Sequence, residues 1–266
     1  MTLEVVENMP FDEYLALNRL SSSALKDYYK SPAFHIFRKT NPMKQTPSLM
    51  TGTMVHCWLL ENHKFNSEYA IDPEYPKPEK PGDLRKVDKE VKDKYKEALA
   101  KYESAVEAWE DANEGKILIK RADIDKYKHL APYSTTKNEI TVLFDYAGVK
   151  CKARFDVLHN DGIEDIKTIS DIFKVKRQFN DLAYYLQAGF YQLAFQAAFG
   201  KLPDFFDFTF ISTNDFVVKE TFRMEFDFME ISRDLACENI LKYKDSLETG
   251  NFPLGLDNTL RTPHWL

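Results

Sequence analysis

The sequence contains no run of about 18 or more apolar residues, so a membrane-spanning helix is not expected. Its opening, MTLEVVENMPFDEY, is acidic and has neither the basic start nor the apolar segment of a secretory signal. Cysteine is scarce: Cys57, Cys151 and Cys237 stand far apart, with no C-x-x-C spacing. That usage fits a reducing cytoplasm and argues against a zinc or iron–sulfur site held by thiolates. No G-x-x-x-x-G-K-[ST] occurs, so P-loop ATP chemistry is not expected. An excess of basic residues is missing as well. The formal net charge of −6 gives no support to a nucleic-acid partner, although an acidic protein can bind DNA through a local basic channel.

What is present is enough chain, 266 residues, for a substantial core in one domain. We read it as a helical N-terminal part, about residues 1–130, packed on a core of about 131–250. The serine cluster in LSSSALKDYYKSP is suited to capping a helix that starts near Ser23, and Pro32 to opening a second. In TGTMVHCWLLE the apolar residues recur at helical spacing. Residues 72–82 are a proline-rich loop. From Leu84 to Trp109 a narrow apolar stripe runs through many charges, predicting a long amphipathic helix. The period then changes. EITVLFDY, VKCKARFDVLH and IEDIKTI read as three strands joined by the hairpin turns AG and NDG. A helix over FNDLAYYLQAGFYQLAFQAAFG ends at Gly200. Strands FFDFTFIS and VVKETFRM and a helix from about Phe228 to Leu247 complete a mixed α/β (α+β) domain built around one sheet.

The third strand places Asp165 and Lys167 two residues apart, on one side of the sheet. The preceding strand supplies Asp156. Two carboxylates brought close on neighbouring strands repel unless a cation lies between them, and oxygen ligands suit Mg²⁺ or Mn²⁺. A lysine beside such a metal can orient an attacking water, which together makes a phosphodiester-cleaving site. The tripeptide alone does not decide this. The same [DE]-x-K pattern recurs at Glu90-Val-Lys92 and Glu114-Gly-Lys116, and a solvated cross-strand ion pair satisfies it equally well.

Taken together, ARFDVL…DIKT…QAGFY resembles the PD-(D/E)XK nucleases of the RecB type, and most of all the RecE-like (exonuclease VIII-like) phage and prophage exonucleases. The resemblance spans roughly residues 20 to 250. It implies a restriction-endonuclease-like core, with a central mixed sheet and an antiparallel meander flanked by helices. It further implies that Asp156, Asp165, the main-chain carbonyl of Ile166 and His56 (in GTMVHCWLLE) hold metal, with Lys167 as the catalytic lysine. Glu139, on the strand before Asp156, matches an extra acid of some relatives, and Gln187 and Tyr191 match the Q-xxx-Y helix that supports the site. Ser23 belongs to the family's serine-leucine…proline opening. The chain departs from the family at Phe155, where proline is usual. Phosphate contacts are expected from Arg154, which shares a strand face with Asp156, and from Lys26, Lys30, Arg38, Lys39, Lys174, Lys176 and Arg177. The resemblance implies a Mg²⁺-dependent, ATP-independent exonuclease digesting double-stranded DNA ends 5′→3′. A ring-shaped homo-oligomer (trimer or tetramer) and a single-strand annealing protein as partner are implied with it. A structure-specific or single-strand endonuclease, or a decayed DNA-binding module, would share the fold.

Overall fold

The computed structural model describes residues 3–133 and 137–255. The C-terminal TLRTPHWL, a candidate docking tail, lies outside them. In chain order the elements begin with β1 (Glu4–Val6), α1 (Phe11–Ala16), β2 (Leu20–Ser21), α2 (Ser22–Lys30), α3 (Pro32–Thr40) and α4 (Pro47–Leu60). They continue with α5 (Asn62–Glu68), β3 (Tyr69–Ile71), α6 (Lys89–Ala112), β4 (Ile117–Ile119) and α7 (Arg121–Asp125). The remainder is β5 (Lys137–Tyr146), β6 (Val149–Leu158), β7 (Gly162–Ile169), α8 (Val175–Asp181), α9 (Tyr184–Phe199), β8 (Phe205–Ser212), β9 (Lys219–Arg223) and α10 (Phe226–Thr249). A short 3₁₀ turn, Ile172–Lys174, leads into α8. No helix among the described residues is long and apolar enough to cross a membrane.

Two compact units form: residues 1–56 with 132–266, and residues 57–131. The first helices therefore group with the sheet, not with the rest of the N-terminal half. In the larger unit the sheet runs β1-β5-β6-β7-β8-β9, with β2 added in parallel to β6. It is mixed: β5–β6–β7 is an antiparallel meander, while β7 and β8 pair in parallel along the whole of β7. The β5–β6 turn has Ala147 and Gly148 at φ 49° and 87°, the double left-handed geometry of a tight hairpin. Phe144, Phe155, Phe190, Phe195, Phe206, Phe208 and Phe210 form the centre of a core in which α9 packs on β5 and β6 and α10 packs on α9 and α2.

Several local features follow from residue chemistry. Ser21 of the serine cluster caps α2, accepting from the Ala24 N–H at 3.2 Å, and the helix starts at Ser22, one residue from the expected start. Ser31 caps α3 ahead of Pro32 and donates to the Leu254 carbonyl at 2.7 Å, tying residues near the described C-terminal limit to the first helices. Lys152 is buried and donates to the carbonyls of Tyr14, Leu15 and Leu17 at 2.7, 3.2 and 2.9 Å. Those carbonyls lie at the end of α1, where Tyr14 and Leu17 also accept from the Leu17 and Arg19 N–H groups, so a lysine from the sheet reinforces the close of the helix.

The helix expected from FNDLAYY onward is broken in two. Ala183 adopts φ 47°, and α9 starts afresh at Tyr184. The apolar pattern runs through the break, which is why periodicity missed it; the turn re-aims the chain so that Gln187 meets β7.

In the smaller unit, β3 and β4 pair in parallel, and Trp58, Phe65 and Tyr69 stack in succession at centroid distances of 5.3 and 4.8 Å. Its long helix, α6, begins at Lys89 and not at Leu84. Asp83 accepts from the Arg85 N–H at 3.0 Å, a local turn that competes with helix there.

Candidate active site

The site grows from a parting of strands. β6 and β7 pair at Leu158↔Ile163 and Val157↔Glu164, and the next pair in register would be Asp156 with Asp165. The ladder stops there, while β7 stays paired with β8 on its other edge. Asp156 fills the gap, its Oδ2 accepting the Ile166 N–H at 2.7 Å. A main-chain donor left over from the sheet thus fixes the carboxylate.

Three groups gather around Asp156. From β5, Glu139 stands opposite it; from α4, His56 places Nδ1 4.0 Å from Asp156 Oδ2 and Nε2 3.0 Å from the Ile166 carbonyl oxygen. One ligand atom from each of His56, Glu139 and Asp156 lies within 4.8 Å of the other two. Asp165 is not in that trio. Its buried carboxylate forms an ion pair with Lys167 and accepts from Gln187 Nε2 at 2.6 Å.

The electrostatics match the crowding. Burial, then the charges of Asp165 and Glu139, lift the Asp156 carboxyl well above its ordinary range, against the lowering effects of Lys167 and the Ile166 N–H. Burial alone would depress the Lys167 amine, but Asp165 and Asp156 outweigh it and hold it above the usual lysine value. An imidazole nitrogen, two carboxylates and a main-chain carbonyl make a donor set suited to Mg²⁺ or Mn²⁺, and a divalent cation would relieve the repulsion that now falls on Asp156. The residues fit the group.

Other sequence candidates take different places. Arg154, expected to face phosphate, is buried: it pairs with Glu139 and donates to the Met9 carbonyl at 2.8 Å. Its guanidinium therefore holds Glu139 and the N-terminal segment, which the strand-face argument did not foresee. Ser23 is exposed on the first turn of α2; its neighbour Ser22 is the buried one, hydrogen-bonded to Tyr191. The Tyr191 ring packs between Phe155 and Phe206 at centroid distances of 5.4 and 6.3 Å. Lys174 and Arg177 are exposed beyond the end of β7, paired with Asp171 at 3.2 Å and Asp181 at 3.3 Å.

One arrangement escaped sequence reasoning, and one expected residue has an unforeseen setting. On the reverse face of β7, Glu164 receives hydrogen bonds from Tyr133 and Thr209, both at 2.5 Å, and lies 3.2 Å from His159 Nε2. Its neighbour His159 is local, across the β6–β7 hairpin, but Tyr133 and Thr209 come from distant segments. On the site's own face, Lys26 and Tyr184 approach Lys167. Lys26, expected among the phosphate contacts, follows the buried Leu25 and lies four residues from Ser22; its approach to Tyr184 and Lys167 is tertiary and was not legible.

Comparison with known proteins follows the same lines. No curated protein matches the sequence. A solved structure from Eubacterium rectale, named "Putative exonuclease", superposes with a TM-score of 0.58 over 97% of this chain and 96% of its own, at 14% identity. That likeness extends the fold across nearly the whole length of both chains. Residues 21–257 match the family described as a PDDEXK-like domain of unknown function (DUF3799). With strands parting around an aspartate, a D-x-K on the next strand and a match over most of its length, this chain belongs to that PDDEXK-like family.

Proposed function

We propose that the protein is a metal-dependent deoxyribonuclease, an exonuclease that digests linear duplex DNA from its ends, in the manner of the RecE-like branch it resembles. The observation that carries this reading is the meeting of His56, Glu139 and Asp156 beside the Asp165–Lys167 pair, with the Ile166 carbonyl between them. A scattered set of the same residues would leave only a fold.

Held by His56, Asp156, Glu139 and the Ile166 carbonyl, Mg²⁺ would supply the positive charge that attack on a phosphodiester requires. The protein's own groups do the rest. Asp165, fixed by Gln187, holds the Lys167 ammonium toward the site, where it can donate to the attacking water or to a phosphate oxygen. Arg154 keeps Glu139 in place from behind. In the reaction water attacks phosphorus, one phosphorus–oxygen ester bond breaks, and the leaving sugar oxygen takes up a proton. The 5′→3′ direction, the ring assembly and the annealing partner belong to this proposal through the resemblance.

Linear duplex labelled at either 5′ or 3′ ends, compared with closed circular duplex in Mg²⁺ and in Mn²⁺, tests the reading. Progressive loss of linear DNA with the circle spared is the expected result, and the label released first gives the direction. Cutting of the circle would replace the exonuclease by an endonuclease. If neither DNA is cut, and Lys167→Ala behaves as wild type, a DNA-binding module is what remains.

A further inference from the structure

Beside the D-x-K lysine the site holds a second amine. Lys26, on α2, directs its Nζ to Gln187 Oε1 at 3.3 Å, and the same Gln187 donates to Asp165. The Lys26 amine lies 5.0 Å from the centroid of the Tyr184 ring; the Lys167 amine lies 5.2 Å from the same centroid. One aromatic ring and one amide therefore connect the two ammonium groups. They differ in their counter-charges. Lys167 is paired with Asp165, whereas among the described residues Lys26 makes no ion pair with any carboxylate.

That is a costly way to place a lysine. Burial, followed by the charge of Lys167, pushes the Lys26 amine down to about 8, with Asp165 and Asp27 opposing. A cation held near another cation, partly withdrawn from water and without a carboxylate of its own, destabilises the free protein. The arrangement becomes favourable once an anion enters between the two amines, because charge-assisted hydrogen bonds are strongest in a partly buried setting. Lysine serves such a role as a compact point charge on a flexible stem.

We propose that Lys26 is a substrate-contacting residue: its ammonium and that of Lys167 grip the oxygens of one phosphodiester of the nucleic-acid strand. The assignment rests on the nuclease reading for the identity of the ligand. Its geometry requires only that an anion bind next to Asp165. Gln187 then has two duties, fixing Asp165 through its amide nitrogen and aiming Lys26 through its oxygen.

Lys26→Met and Lys26→Arg, with wild type, test it in two ways. The first readout is fluorescence anisotropy of a labelled oligonucleotide in Ca²⁺, used as a cation expected not to support cleavage. Expected is about a tenfold weaker Kd for Lys26→Met, with partial recovery in Lys26→Arg and an unchanged Mn²⁺ affinity. Replacing the phosphates of the oligonucleotide by neutral methylphosphonates should abolish the difference between wild type and Lys26→Met. The second readout is the thermal midpoint, which should stay level or rise in Lys26→Met, since an unfavourable half-buried charge is removed. Equal affinity of wild type and Lys26→Met for the charged oligonucleotide overturns the assignment whether or not the protein cleaves DNA. So does a weaker Kd accompanied by a lowered midpoint, which is the mark of a structural lysine. If wild type cleaves no DNA while Lys26→Met still loses binding, the nuclease reading falls and the phosphate contact stands.

Discussion

Glu139 stands directly across the β5–β6 ladder from Asp156, between the pairs Asn138↔Val157 and Ile140↔Phe155, and its backbone has φ 54°. A glutamate in the left-handed region costs roughly 1–2 kcal/mol relative to the ordinary strand conformation. The bend turns its carboxylate toward Asp156 and His56, the opposite of what two like charges would choose alone. Strain and repulsion are both accepted at one residue, which locates the demand for a cation there.

Replacing that carboxylate by its neutral isostere, Glu139→Gln, should therefore weaken Mn²⁺ binding about tenfold or more, as measured by calorimetry. It should also destabilise the fold by about 3 kcal/mol in urea, because the buried Arg154 loses its partner. Intact Mn²⁺ affinity in this variant would remove Glu139 from the site.

Asp156 gives a pH dependence whose sign is fixed. Burial and the charges of Asp165 and Glu139 raise its folded pKa above the unfolded value of 3.8. Its contribution to stability is then fully present below that value and is lost as the pH rises through the folded pKa. Cations bind the deprotonated form and reverse the loss. The thermal midpoint without metal should accordingly fall with rising pH more steeply in wild type than in Asp156→Asn. Added Mn²⁺ should raise the wild-type midpoint more at about pH 8 than at about pH 5 and should do little to the variant. An equal gain at both pH values, or a full gain in Asp156→Asn, contradicts this account.

Much of this was legible in the sequence, for reasons that also explain the rest. The meander could be read because β5, β6 and β7 are separated by the short turns Ala147-Gly148, where glycine takes φ 87°, and Asn160-Asp161-Gly162, made of turn-forming residues. Asp156, Asp165 and Lys167 could be placed on strands, since strand periodicity is local. The parting of β6 from β7 could not, because the Asp156 carboxylate takes the Ile166 N–H and His56 approaches the Ile166 carbonyl from a remote helix, contacts that no strand period announces. Arg154 was assigned its strand correctly but its environment wrongly: Glu139 meets it from the paired strand β5, and Met9 reaches it from the remote N-terminal segment. Strand pattern gives the face a side chain occupies, while its partners are set by tertiary approach.

Lys152 offers a test that leaves the metal site alone. In Lys152→Met three carbonyls at the end of α1 lose their shared donor. A loss of about 2–3 kcal/mol in urea denaturation is expected, with faster hydrogen exchange in α1. Mn²⁺ affinity in the folded protein should be unchanged, because no metal-ligating group contacts that amine. A variant as stable as wild type would show that water replaces the lysine at no cost.

The glycine inside Gln187-Ala-Gly-Phe-Tyr191 is explained by packing and not by the site. Gly189 is helical, so no unusual dihedral demands it, yet a methyl group built there would overlap the Ser232 carbonyl and approach the Arg233 nitrogen. α9 and α10 therefore cross with backbone against backbone at this point. Gly189→Ala should force them apart and lower stability by about 3 kcal/mol, although alanine is by itself the better helix former. The adjacent Ala188→Gly reverses the chemistry, removing a buried methyl group and helix propensity together, and should cost about 1–2 kcal/mol. Urea midpoints for the pair decide the matter. If Gly189→Ala proves neutral or stabilising, the close crossing is not what holds that glycine in place, and the placement of Gln187 against Asp165 would have to be set by the turn at Ala183 alone.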